Sequence, residues 1–300
     1  MIESVPNVSE GVRSTVVDAI AAAIDATPHV LLLNHSADPS HNRSVYTCAG
    51  DGARVVDALL SLVRIAVEQI DMRQHHGAHP RIGAVDVVPF IPLSGSSIDE
   101  CVALSRTFAR TVAERFSIPV FLYERSASVP HRQRLEEIRR GQFEGLADKL
   151  TLPDWQPDFG PSHPHPTAGA MVTGARMPLI AFNINLTTDR VDVASAIARV
   201  IRERNGGLPC VKALGLFLPH LGIAQVSMNL TDYTRTPVQA VFDAVEREAH
   251  ARGVGVLESE LIGLIPADAL AGTSADRLKL TGFSPERVLE HAIALRTQKF

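Results

Sequence analysis

Gln225-Val226-Ser227-Met228-Asn229-Leu230 alternates polar and apolar residues without a break. Successive side chains of a strand point to opposite faces, so Gln225, Ser227 and Asn229 share one face while Val226, Met228 and Leu230 share the other. The same beat runs through Phe182-Asn183-Ile184-Asn185-Leu186 and Leu257-Glu258-Ser259-Glu260-Leu261. A sheet made of these strands has an apolar face suited to covering helices and a polar face opposite. A polar face can simply be wet. Asn and Gln are poor strand residues, however, and amides repeated at strand centres point to a hydrogen-bonding surface for a flat polar ligand.

Read outward from that stretch, the second half of the chain gives a strand at 179–186, a helix at 191–204 and strands at 211–218 and 224–230 turned by Gly222. A helix with Pro237 in its first turn (237–252) and a strand at 255–261 follow. The first half gives the same βαββαβ order. It has a strand at 1–5, a helix at 11–26 with Ser9 as N-cap, strands at 30–33 and 43–49, a helix at 53–70 and a strand at 85–91. A further helix (98–116) and strand (120–123) follow. Residues 148–168 contain Pro153, Pro157, Pro161, Pro164 and Pro166 and read as a stiff crossover. The expected fold is α/β (α+β), with two βαββαβ ferredoxin-like subdomains whose sheets face a central ligand groove. The expected subdomains are residues 1–168, crossover included, and 169–300.

Composition narrows the function. With 45% hydrophobic and 21% charged residues the chain is of ordinary globular type. A formal net charge of −4 argues against nonspecific nucleic-acid binding. Three scattered cysteines, 48, 101 and 210, without CxxC spacing fit buried thiols in a reducing compartment. The first residues lack a basic segment followed by an apolar one, and no apolar run reaches the roughly 18 residues of a membrane span. The expectation is a cytoplasmic protein. No GxxxxGK[ST], GxGxxG or GxSxG motif supports nucleotide-driven or serine-hydrolase chemistry.

Gly77-Ala78-His79-Pro80-Arg81-Ile82-Gly83-Ala84 carries the sharpest chemical signal. Pro80 keeps His79 in extended geometry, and the flanking glycines allow close backbone approach by a ligand. An imidazole beside a fixed positive charge suits proton transfer to an anionic substrate, whereas the bland reading is a turn with a solvated histidine. His35, Asp38, His41, Asn42 and Arg43 crowd one strand connection. They read equally as Asp-Pro and Ser turn chemistry, and without a second cluster they make no standard metal site. Neither His75-His76 nor His163 with His165 completes one, so no metal is expected.

These residues give the chain a resemblance to the glutamate formiminotransferase family, including the transferase half of formiminotransferase–cyclodeaminase. The matching blocks are Val5-Pro6-Asn7-Val8-Ser9-Glu10-Gly11, Asp38-Pro39-Ser40-His41-Asn42-Arg43-Ser44-Val45, the run from Gly77 to Pro92, and Pro157-Asp158-Phe159-Gly160-Pro161. They continue with Gly174-Ala175-Arg176, Ala181-Phe182-Asn183-Ile184-Asn185-Leu186, Gln225-Val226-Ser227-Met228-Asn229-Leu230 and Glu260-Leu261-Ile262-Gly263-Leu264. In length the chain accounts for the transferase portion. The resemblance implies two α/β subdomains around a folate tunnel. It implies transfer of a formimino group from N-formimino-L-glutamate to N5 of tetrahydrofolate, in histidine degradation. Tetrahydrofolate is then a cosubstrate, no cofactor is tightly held, and a homodimer is expected.

The family's catalytic histidine falls on His79, and Ala78 stands where some members carry glutamate. An imidazole of ordinary pKa near 6.5 moves protons both ways at neutral pH, worth about a hundred- to ten-thousandfold in rate. The other roles are assigned by position. Asp38 orients the imidazole or a folate ring nitrogen. Arg43, Arg81 and Arg176 receive substrate carboxylates. Asn7, Asn183, Asn185, Gln225 and Asn229 would hydrogen-bond pterin or amide edges, and Asn42 is a further substrate-binding candidate. Two rival functions on the same scaffold are another folate-dependent formyl transfer and noncatalytic folate binding.

Overall fold

The structure is a computed structural model and describes residues 1–39, 41–77, 79–219 and 221–297. Ala78, the position next to His79 where some family members carry glutamate, lies outside the described residues. The chain divides into the units Met1–Arg176 and Met177–Phe300.

In the first unit, β1 (Ile2–Ser4) and β2 (Asn7–Val8) form one strand broken around Pro6. They pair antiparallel with β4 (Arg43–Gly50) on one side and β5 (Val85–Pro92) on the other. Outside β4 lies β3 (Val30–Asp38), paired from Val30 opposite Gly50 to Asp38 opposite Arg43 with a one-residue shift in register between Leu32 and Asn34. Sequence pattern ends this strand at Leu33, where the residues turn polar. The ladder continues five residues further because β4 supplies backbone partners along its whole length.

Helices α1 (Ser14–Asp25), α2 (Gly52–Gln69) and α3 (Ile98–Phe116) share a core with this sheet. Ile20, Ile24, Leu59, Leu62 and Phe108 are fully buried there with Val88 and Phe90 of β5. The side chain of Asp51 caps α2 and that of Ser97 caps α3. Ser9 does not cap α1. Its hydroxyl donates to the Gly83 carbonyl at 2.7 Å, and the Glu10 carboxylate takes the Val12 and Arg13 N–H groups instead.

Beyond β5 the sheet turns parallel. β7 (Met171–Ala175) lies between β5 and β6 (Val120–Glu124), parallel to both. A five-residue strand containing Gly174 has too little pattern to be read locally. The long β6-to-β7 connection holds α4 (Leu135–Ile138) and α5 (Leu146–Leu150). Ile138, Leu146, Leu150 and Trp155 pack with Val87, Phe121, Tyr123 and Val172 in a separate core. This end of the sheet is therefore buried on both faces, which accounts for the apolar run of β5 from Val87 to Pro92. The proline-rich segment read as a crossover is tied to this unit, as Val120 bridges Phe159 and His165 bridges Gly169.

The second unit contains β8 (Ile180–Leu186), α6 (Val191–Ile201), β9 (Val211–Leu218), β10 (Ile223–Leu230), α7 (Val238–His250) and β11 (Val256–Ile262), followed by α8 (Leu289–Thr297). The sheet order is β11-β8-β10-β9, antiparallel throughout. Phe182, Ile184, Val226 and Met228 face Ile197, Val241 and Phe242 of the helices, as the alternation required. Both units mix helices and sheet, in keeping with a two-subdomain α+β chain.

Candidate active site

Three strands and one loop converge on His79. Arg43 opens β4, Asn7 opens β2 beside it and Asp86 lies in β5. Asn7 Oδ1 accepts from Arg43 Nε at 3.0 Å and also from Nη2, while Asn7 Nδ2 donates to the Val5 carbonyl at 2.8 Å. Thus anchored, Arg43 sets Nη1 2.5 Å from His79 Nδ1 and 3.0 Å from Nε2. Nδ1 also lies 2.7 Å from the Pro80 carbonyl. A carbonyl only accepts and a guanidinium only donates, so in the tautomer with its proton on Nδ1 the ring donates to Pro80 and can accept from Arg43 only at Nε2, the farther of its two nitrogens.

Asp86 is 1% exposed and accepts the Ile82 N–H at 3.0 Å. Two guanidiniums share its carboxylate. Arg139, at the end of α4, contacts Oδ2 closely, and Arg43 stands 3.5 Å from the same oxygen. Two cations and one anion leave a surplus positive charge next to the imidazole. Burial alone would raise the Asp86 carboxyl, but Arg139 and Arg43 outweigh it and hold it below the usual range. Burial first, then Arg43 and Arg139, push the His79 imidazole down to about 3. The ordinary value near 6.5 expected from sequence is therefore not kept in the ligand-free protein. Desolvation also draws Arg43 down, to about 10.

Other residues singled out from sequence are engaged elsewhere. Asp38 pairs with the His41 ring at 2.5 Å and accepts the His41 N–H at 3.0 Å. The His41 ring stands edge-on to His79, 6.1 Å between centroids. Arg81 is buried, and all five of its N–H groups have partners. Nε donates to His75 Nδ1, Nη1 to Gln142 and Glu144, and Nη2 to the His75 carbonyl and Glu144. Asn42 adopts a positive φ of 47°, which asparagine tolerates, and its amide ties Gly11 to His76. Arg176 closes the first unit with its guanidinium on Tyr123.

The glycines flanking His79 also serve packing. A Cβ on Gly77 would stand 2.3 Å from the His41 carbonyl oxygen, and one on Gly83 would stand 2.0 Å from that of Ala170. What approaches these glycines is backbone of this chain.

In the second unit the polar sheet face is a hydrogen-bonded ladder. Asn183 donates to Glu260 at 3.0 Å, Asn185 to Glu258 at 2.9 Å, and Gln225 to Asn185 at 2.9 Å and Glu260 at 3.3 Å. Asn229 lies on the same face and is exposed. The two glutamates take donors from the amides, so this face presents carboxylates as well as amides. Their alternation was visible in the sequence without a stated role. Asp86 also left a signal, as a lone carboxylate in an apolar strand must be paired. Arg139 left none, because an arginine in a charged segment reads as surface.

Comparison with known proteins agrees with this layout. Residues 1–176 match the family model described as the formiminotransferase domain, N-terminal subdomain, and residues 181–279 match the one described as the formiminotransferase domain. The chain is 45% identical over 292 residues to a glutamate formimidoyltransferase of Streptococcus pyogenes serotype M1, covering 97% of this chain and 98% of that protein. It is 42% identical over 292 residues to a glutamate formimidoyltransferase of Thermoplasma acidophilum, covering 97% and 96%. Against a formimidoyltransferase-cyclodeaminase of Rattus norvegicus it is 46% identical over 281 residues, 92% of this chain but 52% of that protein. It therefore spans about half of the bifunctional relative. With both halves of the fold matched in order, this chain belongs to the formiminotransferase family.

Proposed function

We propose that this chain transfers the formimino group of N-formimino-L-glutamate to N5 of tetrahydrofolate and releases L-glutamate, with His79 carrying the protons. The observation that supports this most directly is the half-buried, neutral imidazole set against a cluster with surplus positive charge. The N5 lone pair attacks the formimino carbon, the C=N electrons move to its nitrogen and a tetrahedral centre forms. N5 then gives up its proton, and the glutamate nitrogen needs one as its bond to carbon breaks. Nε2 of His79 accepts the first proton and returns one to the leaving nitrogen, so the ring ends neutral.

A base with a pKa of about 3 is too weak for this task at neutral pH. Burial is the larger cause of that depression, but a substrate carboxylate meeting Arg43 offsets the part that comes from the guanidinium charge and draws Nη1 away from Nε2. Binding the anion thus frees the lone pair and strengthens the base. The amides and glutamates of the second unit have the donor and acceptor character that a pterin edge requires, and Asn183, Asn185, Gln225 and Asn229 are assigned to it. A cytoplasmic homodimer belongs to the same reading, its compartment supported by three free thiols at Cys48, Cys101 and Cys210.

The test is glutamate release from N-formimino-L-glutamate in the presence of tetrahydrofolate, with His79→Ala alongside. Turnover by the native protein and a loss of about a hundred- to ten-thousandfold in the variant is expected. Undiminished turnover in the variant removes His79 from the mechanism, and absence of turnover in the native protein removes the reaction.

A further inference from the structure

The charged cluster beside His79 is completed from a segment distant in sequence. Arg139 is the C-cap that follows α4, in the β6-to-β7 connection, and its Nη2 contacts the same Asp86 oxygen that Arg43 faces. Its placement is not that of a loosely held surface arginine. Ile138 beside it is 1% exposed and belongs to the core beneath. Lys149 Nζ donates to the carbonyls of Glu137, Ile138 and Arg140, at 2.9, 2.6 and 3.1 Å, pinning the backbone on both sides of Arg139. The Lys149 ammonium itself sits 3.8 Å from the centre of the Trp155 ring. The Arg139 Nε is buried with no hydrogen-bond partner.

We infer that Arg139 is a positioning residue for the His79 proton chemistry: by sharing Asp86 with Arg43 it fixes Arg43 against the imidazole and adds the second positive charge that keeps the ring unprotonated until an anion binds. This rests on the shuttle reading proposed above. The charged and titratable groups around the ring are Arg43 from β4, Asp86 from β5, Arg139 from the C-cap of α4 and His41 with its partner Asp38 from the β3–β4 turn. Of the cations among them, only Arg139 comes from outside the βαββαβ portion of the unit. With Asp86 bound to Arg139, the carboxylate is drawn off Arg43, whose Nη1 is left at 3.5 Å from it and free to lie on the imidazole.

The experiment compares Arg139→Gln, which removes the charge and keeps an N–H donor for Asp86, with Arg139→Lys, which keeps the charge. The His79 Cε1 proton is followed by NMR from pH 8 to pH 4 in the free proteins, its resonance identified by its absence in His79→Ala. The dependence of kcat/KM on pH is measured in parallel. In the native protein and in Arg139→Lys the resonance is expected to hold its neutral position to near pH 4. In Arg139→Gln the midpoint is expected to rise by roughly one to two units, so the resonance moves by pH 5 and the acid limb of kcat/KM moves with it.

Superimposable titrations in the native protein and Arg139→Gln, with activity lowered by one factor at every pH, would show a merely structural arginine and overturn the inference. The NMR arm needs no turnover. If His79→Ala stays fully active, the shuttle reading fails while the titration still decides whether Arg139 governs the ring. Should Arg139→Gln fail to fold, Arg139→Met, which also removes the charge and keeps most of the volume, carries the same comparison, and a titration superimposable on the native one would again overturn the inference.

Discussion

Asp86→Asn removes the anion from between two guanidiniums while preserving the size of the side chain. The carboxylate is 1% exposed, contacts Arg139 closely and lies 3.5 Å from Arg43. Deleting one partner of a buried ion pair costs about 3–5 kcal/mol, because the remaining charge is left unmatched. Two features reduce that figure. The asparagine oxygen can still accept the Ile82 N–H, a bond worth about 1 kcal/mol, and Arg43 and Arg139 are each 14% exposed, so some water reaches them. The expected loss is about 2–4 kcal/mol at pH 7, read from urea unfolding as a lower midpoint at unchanged slope.

The dependence on pH has a definite sign. Asp86 is held below its ordinary value, so its contribution is complete above the unfolded carboxyl pKa near 3.9 and is lost as pH falls through the lower folded value. The gap between native and variant proteins should stay constant from pH 8 to about pH 5 and narrow below about pH 4. A gap under about 0.5 kcal/mol at neutral pH would refute the argument, because it would mean the cluster contributes no more than a solvated surface pair.

Two further outcomes follow from the same geometry. Gly83→Ala would place a methyl group 2.0 Å from the Ala170 carbonyl oxygen and 2.5 Å from that of Ala168. Backbone cannot yield as a side-chain tip does, so a loss of at least about 1–3 kcal/mol is expected in thermal or urea unfolding, and native stability would contradict the packing described. His79 imposes a pH trend of its own. Its ring titrates near 3 when folded and near 6.5 when unfolded, so between these values the unfolded chain binds more protons. Stability should therefore fall as pH drops from about 6.5 towards 3. His79→Gln should make urea midpoints at pH 7 and pH 5 more nearly equal, and an unchanged difference would place the ring in ordinary solvent.

Much of this was legible in the sequence, because the signals are local. Period-two alternation in β8, β10 and β11 depends only on the pleat of a strand, so Asn183, Asn185 and Gln225 could be put on one face from spacing alone. His79 is flagged by its immediate neighbours and by the family blocks around it, and membership of the formiminotransferase family follows from the order of those blocks. Three features were decided by tertiary structure. Residues 34–38 extend β3 only because β4 lies alongside to pair with them. Met171–Ala175 becomes a strand only when inserted between β5 and β6, where both ladders satisfy its backbone.

The electrostatics of the site belong to the same class. Arg81 looked like a free cation and is fully engaged by His75, Gln142 and Glu144. Arg139 was not singled out by any sequence signal and meets Asp86 across 53 positions of sequence. Spacing along a chain fixes which way a side chain faces within its own element. It does not fix which charges meet when elements pack, and at His79 those meetings set the protonation of the ring.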